Sequence, residues 1–127
     1  MKYLIDTNIL LWFSENNVEL PQAFKDLLFD DSNEIYVSIV TLWEIAIKYS
    51  IGKLNIPCNL ELFLDEIRWK YDFIILPLEA SHILKQATLP FHHRDPFDRM
   101  LYAQSVIEKM KFLYTDIIFD KYRESKL

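Results

Sequence analysis

A parallel α/β fold is the architecture this chain predicts, and three observations predict it. Four short apolar runs, Tyr3–Ile5, Ile35–Val37, Phe73–Leu76 and Phe112–Tyr114, show no polar alternation, as strands buried on both faces do not. Stretches with helical spacing separate the strands, the pattern of a central sheet covered by helices on both faces. The 127 residues, 51% hydrophobic and 26% charged, suffice for one domain with a sizeable core, and no repeat or Gly/Ser linker divides residues 1–127.

Each element has a local reason. The first strand ends at Asp6, where Asp6-Thr7-Asn8 supplies a turn or helix cap before a helix opening at Ile9. Pro21 suits the first position of a second helix, whose Ala23, Phe24, Leu27 and Leu28 recur at helical spacing. Ile35–Val37 is the second strand, and Ser38 caps a helix over Ile39–Ser50. Gly52 then stands where a helix C′ residue belongs. Leu60, Phe63, Leu64 and Ile67 mark a helix running to Lys70. Phe73–Leu76, stopped by Pro77, is the third strand, followed by a short helix over Glu79–Ala87. A loop over Leu89–Arg94 leads to a helix from Pro96 to about Met110, and Phe112–Tyr114 is the fourth strand.

Composition excludes several function classes. Gly52 is the only glycine, where average usage of roughly 7% would give about nine. Neither glycine-rich phosphate cradle can be written with one glycine. Fourteen basic residues against nineteen acidic ones give a net charge of −5, so the overall basic footprint of a nucleic-acid-coating protein is absent. Cys58 is alone, which excludes an intramolecular disulfide and cysteine-rich zinc sites. No apolar stretch approaches the ~20 residues that span a bilayer, and no signal sequence is legible, so a cytoplasmic location is expected and no membrane partner. Ser125-Lys126-Leu127 matches the three-residue peroxisomal address, a signal of low information.

Acidic residues occupy the positions where such a sheet binds ligands, beyond the carboxyl ends of the strands. Asp6 follows the first strand and Asp116 the fourth; each also suits a turn or helix cap. In the apolar helix 39–50, Thr41, Glu44 and Lys48 form one polar stripe. It is either a Glu44–Lys48 pair on a solvated face or the border of a polar cavity. His92 to Arg99 is the densest polar cluster. Asp95 before Pro96 makes a good N-cap, and Asp98 three residues later faces the same side of the first turn. If Asp6, Glu44, Asp98 and Asp116 converge, a cation must neutralise them or some must bind protons. An all-oxygen donor set selects Mg²⁺ or Mn²⁺ over zinc. His92 and His93 offer a mixed His/Asp site instead, although adjacent histidines seldom face one metal.

The order of these motifs resembles that of PIN-domain ribonucleases. Asp6-Thr7-Asn8 is similar to their opening motif, and Val40-Thr41-Leu42-Trp43-Glu44-Ile45 to their second acidic motif. The run Leu89 to Leu101, with His93-Arg94-Asp95-Pro96-Phe97-Asp98-Arg99 at its centre, resembles the version in VapC-type toxins of toxin–antitoxin pairs. Thr115-Asp116 matches the fourth, weaker motif, and the resemblance extends over essentially the whole chain. It implies a PIN-like three-layer fold with four to five parallel strands. It also implies Mg²⁺- or Mn²⁺-dependent endoribonuclease activity and an RNA substrate, silenced by a cognate antitoxin, with homodimerisation. Asp6, Glu44 and Asp98 would be the core metal-binding acids and Asp116 a fourth acting through water. Asp95 would be an outer residue or cap, and Asn8, Thr115, Arg94 and Arg99 candidate substrate contacts. For the two arginines the alternative is surface ion pairing. Tyr102, Gln104 and Ser105 stand where the family carries small residues, a departure expected to affect packing only.

Other classes remain open on the residues alone. The same fold could bind RNA or protein without catalysis, and a related nuclease could prefer DNA. A phosphoaspartyl enzyme using Asp6 as nucleophile is a third possibility, although Asn8 stands where one such family needs a second Asp.

Overall fold

The computed structural model describes residues 1–124. Four strands, β1 (Lys2–Ile5), β2 (Glu34–Ser38), β3 (Ile74–Leu76) and β4 (Lys111–Leu113), form one wholly parallel sheet in the order β3-β2-β1-β4. Among the described residues the strands number four, the lower end of the expected range. The helices are α1 (Thr7–Ser14), α2 (Gln22–Phe29), α3 (Ile39–Ser50), α4 (Leu60–Asp65), α5 (Ala80–Thr88), α6 (Pro96–Glu108) and α7 (Asp120–Glu124). The terminal Ser125-Lys126-Leu127 lies outside the described residues. No helix among the described residues is long and apolar enough to cross a membrane.

Alternation along the strands sends side chains to two separate cores. Tyr3, Ile5, Ile35 and Val37 pack with Ile9, Leu10, Leu28, Ile45, Phe63 and Ile67 on one face. On the other, Phe112 and Tyr114 pack against Tyr102, Ala103, Phe119 and Tyr122. Two helix starts follow the sequence closely: Ser38 Oγ accepts from Val40 N, and Asp95 Oδ1 accepts from Phe97 N and Asp98 N ahead of Pro96. Gly52, at φ +75°, completes a Schellman motif in which its N–H donates to Tyr49 O and that of Lys53 to Lys48 O.

Three expectations need correction. Helix α4 does not stay regular to Lys70: Glu66–Lys70 is a π-helical turn, with Tyr71 N bonded to Glu66 O. The burial of Phe63 and Ile67 continues across the change, so apolar spacing alone gives no sign of it. Pro21 caps α2 from outside its first turn. Gln104 does more than pack: its Oε1 accepts from Ser38 Oγ and its Nε2 donates to Pro77 O, 3.3 Å from His82 Nδ1. The fully buried His82 accepts from Glu79 N at Nδ1, which leaves Nε2 to donate to Glu108 Oε2 at 2.8 Å. This network ties the ends of β2 and β3 to α5 and α6.

Candidate functional site

The winding of the sheet reverses between β1 and β4. The chain steps outward from β1 through β2 to β3, then crosses back to place β4 on the other side of β1. A crevice opens at such a reversal, outside the carboxyl ends of the strands. Asp6 ends β1 there, and Thr115 and Asp116 follow β4.

A cavity of about 320 Å³ occupies this crevice. Asp6, Thr7, Asn8, Glu44, Asp95, Asp98, Thr115 and Asp116 all border it. The structure thus brings together four acids from the ends of β1 and β4, from α3 and from α6, with Asp95 beside them. Asp6 is tightly held: Oδ1 accepts from Ile9 N at 2.8 Å and Oδ2 from Thr115 N at 2.9 Å. Glu44 is buried and doubly engaged, with Thr7 Oγ1 donating to Oε1 at 2.7 Å and Lys48 Nζ to Oε2 at 2.9 Å. Asp116 caps a 3₁₀ turn, Ile117–Phe119, by accepting from Ile118 N. Asn8 Nδ2 donates to Thr115 Oγ1 at the mouth. The polar stripe of α3 therefore borders a cavity; the Glu44–Lys48 pair forms as well, but with Glu44 buried and not on a solvated face.

Charge is unbalanced in this space. Burial, with the nearby charges of Asp95, Glu44, Asp6 and Asp116, pushes the Asp98 carboxyl up to about 7. Burial raises Asp6 to about 6 against the hydrogen bonds from Ile9 and Thr115, with Glu44 adding to the rise. The Lys48 ammonium is pushed up, chiefly by its hydrogen bond to Glu44. Among the described residues, five acids on the cavity wall face two lysines, Lys48 and Lys53.

The two arginines part company. Arg94 is exposed on the loop before α6 and does not line the cavity. Arg99 meets neither expectation, phosphate contact or surface ion pair. It is 3% exposed, and its guanidinium donates to Gln86 O, Leu89 O, Pro90 O and Tyr122 Oη, beneath the ring of Phe91. It pins the turn ahead of the Asp95 cap.

Two contributors, Lys53 and Thr7, were not legible in the sequence, and a third, His93, was readable only as one of an adjacent histidine pair. Lys53 reaches the cavity because the Gly52 turn sends the chain back toward it; a glycine C′ followed by lysine is the only clue. Thr7 orients Glu44 across 37 residues, and no local pattern reports such a pair. His93 lies with Nε2 3.1 Å from Asp98 Oδ2 and 3.3 Å from Asp116 Oδ2. His92 turns away, edge-on to Tyr122, so the adjacent histidines do not share a site.

A parallel α/β fold with a carboxylate-lined crevice at its winding reversal defines a class of site that presents oxygen donors of the kind hard cations take. The family model of the PIN domain matches residues 3–125, and the chain belongs to the PIN domain family. A solved structure of VapBC2 from Rickettsia felis, bound to a DNA fragment from its promoter, is similar in fold at a TM-score of 0.70. It shares 17% identity over 96% of this chain and 93% of that one. FitAcB from Neisseria gonorrhoeae is similar at a TM-score of 0.60, with 16% identity over 91% of this chain and 88% of that one. No curated protein sequence matches the chain.

Proposed function

We propose that this PIN-domain protein is a metal-dependent endoribonuclease, the toxin of a toxin–antitoxin pair, that hydrolyses RNA phosphodiester bonds. The observation that carries the proposal is the meeting of Asp6, Glu44, Asp98 and Asp116, from separate elements, in one cavity at the winding reversal.

The residues fit a divalent cation. Burial first, and the neighbouring acids after it, raise Asp6 to about 6 and Asp98 to about 7, and a bound cation would offset both effects. The donors are oxygens, which favours Mg²⁺ or Mn²⁺. Among the described residues no three acidic, histidine or cysteine side chains stand close enough, as they lie, to hold one ion together, so binding would need the acids to draw in around it or water to complete its shell. Asp6, Glu44, Asp98 and Asp116 would hold the ion, and Asp95, whose Oδ1 serves as the α6 cap, would add charge beside them. Bound there, Mg²⁺ or Mn²⁺ would neutralise the pocket, activate water and stabilise the 3′-oxygen leaving group.

The chain's own groups perform the rest. Ile9 N–H and Thr115 N–H fix Asp6, and the Thr7 hydroxyl fixes Glu44, so the acids are oriented before any ligand arrives. Asn8 and Thr115 present an amide and a hydroxyl at the mouth for a phosphate or ribose. Lys48 and Lys53 are the wall's two cations among the described residues and attract the RNA backbone. Arg94 is exposed and outside this wall, and the same reading assigns it to phosphates farther along the strand.

The partner proposal is coarser. Likeness of fold to a VapBC assembly supports a cognate antitoxin, and Trp43, Trp69, Phe29 and Phe91 are exposed aromatics available to protein partners or to a second copy. The direct test offers matched single-stranded RNA and DNA oligonucleotides, with Mg²⁺ or Mn²⁺ and with a chelator. RNA cleavage that needs the metal and is lost in Asp98→Asn supports the function. RNA binding without cleavage, together with no Mn²⁺ binding by calorimetry, would leave a binding module instead.

A further inference from the structure

We propose that His93 is a positioning residue that braces Asp98 and Asp116 by lodging its Nε2–H between them. This rests on the metal-binding role proposed for those two acids. Three contacts fix the ring. Its Nδ1 accepts from Asp95 N at 3.1 Å, its face lies 5.1 Å from that of Phe119, and the backbone N–H of His93 donates to Tyr122 Oη. A ring nitrogen that accepts a hydrogen bond bears no proton, so the ring's N–H lies at Nε2. That N–H is buried and stands 3.1 Å from Asp98 Oδ2 and 3.3 Å from Asp116 Oδ2, with an aligned hydrogen bond to neither. An N–H lodged between two carboxylates of different elements, α6 and the turn after β4, offsets part of their repulsion and so favours their staying in one site. The same tautomer argues against ligation through Nε2, because a lone pair there would put a second proton against the Asp95 N–H.

Two substitutions in the full-length chain separate bracing from loop capping. Asparagine can accept the Asp95 N–H near the place of Nδ1 but has no donor that reaches the acids. Glutamine can place its NH₂ near Nε2 and forfeits the cap. Mn²⁺ affinity by calorimetry is therefore expected to stay within about threefold for His93→Gln and to fall about 10- to 100-fold for His93→Asn. Nitrogen-detected NMR of the metal-free wild type is expected to find the ring proton on Nε2. A proton on Nδ1, an Asn variant that binds like wild type, or equal losses in both variants would overturn the brace. Wild type that binds no Mn²⁺ would defeat the metal-dependent function instead, and the tautomer would then decide the brace by itself.

Discussion

Thr115 donates its backbone N–H to Asp6 Oδ2 at 2.9 Å, joining residues 109 positions apart across the reversal of the sheet. Asp6 Oδ1 takes the Ile9 N–H, so both oxygens of this carboxylate receive backbone donors. Asp98 differs, since its own backbone N–H goes to the Asp95 cap and its Oδ2 lies beside His93. The two corresponding asparagine variants should therefore separate. Asparagine has one acceptor oxygen, so Asp6→Asn turns an NH₂ toward Ile9 or Thr115, at a cost of about 1–3 kcal/mol for the unsatisfied donor. Asp98→Asn removes a repelled carboxylate and should melt no lower than wild type at pH 8. Both should lose cleavage by at least about 100-fold, the scale for removing a group that stabilises transition-state charge. Thermal melts beside an RNA cleavage assay check the order.

Raised carboxyls make metal-free stability depend on pH in a definite direction. Asp6 and Asp98, at about 6 and about 7 when folded, stand above their ordinary value of 3.8, so the folded chain holds protons that the unfolded chain releases. Stability from these groups is present at low pH and falls as pH rises from about 4 to about 7. The metal-free melting temperature should accordingly be lower at pH 8 than at pH 5, with a smaller drop in Asp98→Asn. Saturating Mn²⁺ should raise it more at pH 8, where the acids need not first release protons. Calorimetric melts at the two pH values, with and without the ion, test both signs.

What could be read in the sequence was what short-range physics controls. The parallel sheet was legible because strands buried on both faces lack alternation, and Ser38, Asp95 and Gly52 mark helix ends through their own backbone bonds. The four acids stood out because Asp6 and Asp116 end strands, Glu44 interrupts an apolar helix and Asp98 follows three residues after the Asp95 cap. Contacts fixed only by tertiary packing were not legible. Arg94 and Arg99 flank the same acids and are chemically identical, yet α6 turns one into the interior and the loop leaves the other outside. His93 looks like any loop histidine until Asp95 N–H and Phe119 fix its ring. Gln104, on an otherwise ordinary helix, could not announce Ser38 and Pro77 as partners.

Lys48 competes with any incoming cation for Glu44. Its Nζ holds Glu44 Oε2 at 2.9 Å while half its side chain remains in solvent at the cavity wall. Lys48→Met should strengthen Mn²⁺ binding at pH 8, because the carboxylate loses its internal partner and the pocket becomes more negative. The same change should raise KM for RNA, since one of the wall's cations is gone. Calorimetry with Mn²⁺ and steady-state cleavage kinetics separate the two effects. Weaker Mn²⁺ binding would mean that Lys48 orients Glu44 and does not compete for it.

Arg99 is the clearest case of a charge spent on structure. Its two terminal nitrogens donate to the carbonyls of Gln86, Leu89 and Pro90, and no carboxylate is among these partners. A lysine ammonium is a compact donor on a flexible stem and cannot span acceptors that a planar fork spaces apart. Arg99→Lys should lose about 2–4 kcal/mol in urea unfolding, the cost of leaving buried carbonyls unpaired beside an imperfectly solvated charge. RNA binding supplies the decisive second measurement. An arginine that touched phosphate would on removal make log affinity fall less steeply with log salt, by about 0.7 for one contact on a single strand. The slope for folded Arg99→Lys should match wild type, whereas Arg94→Ala should make it shallower.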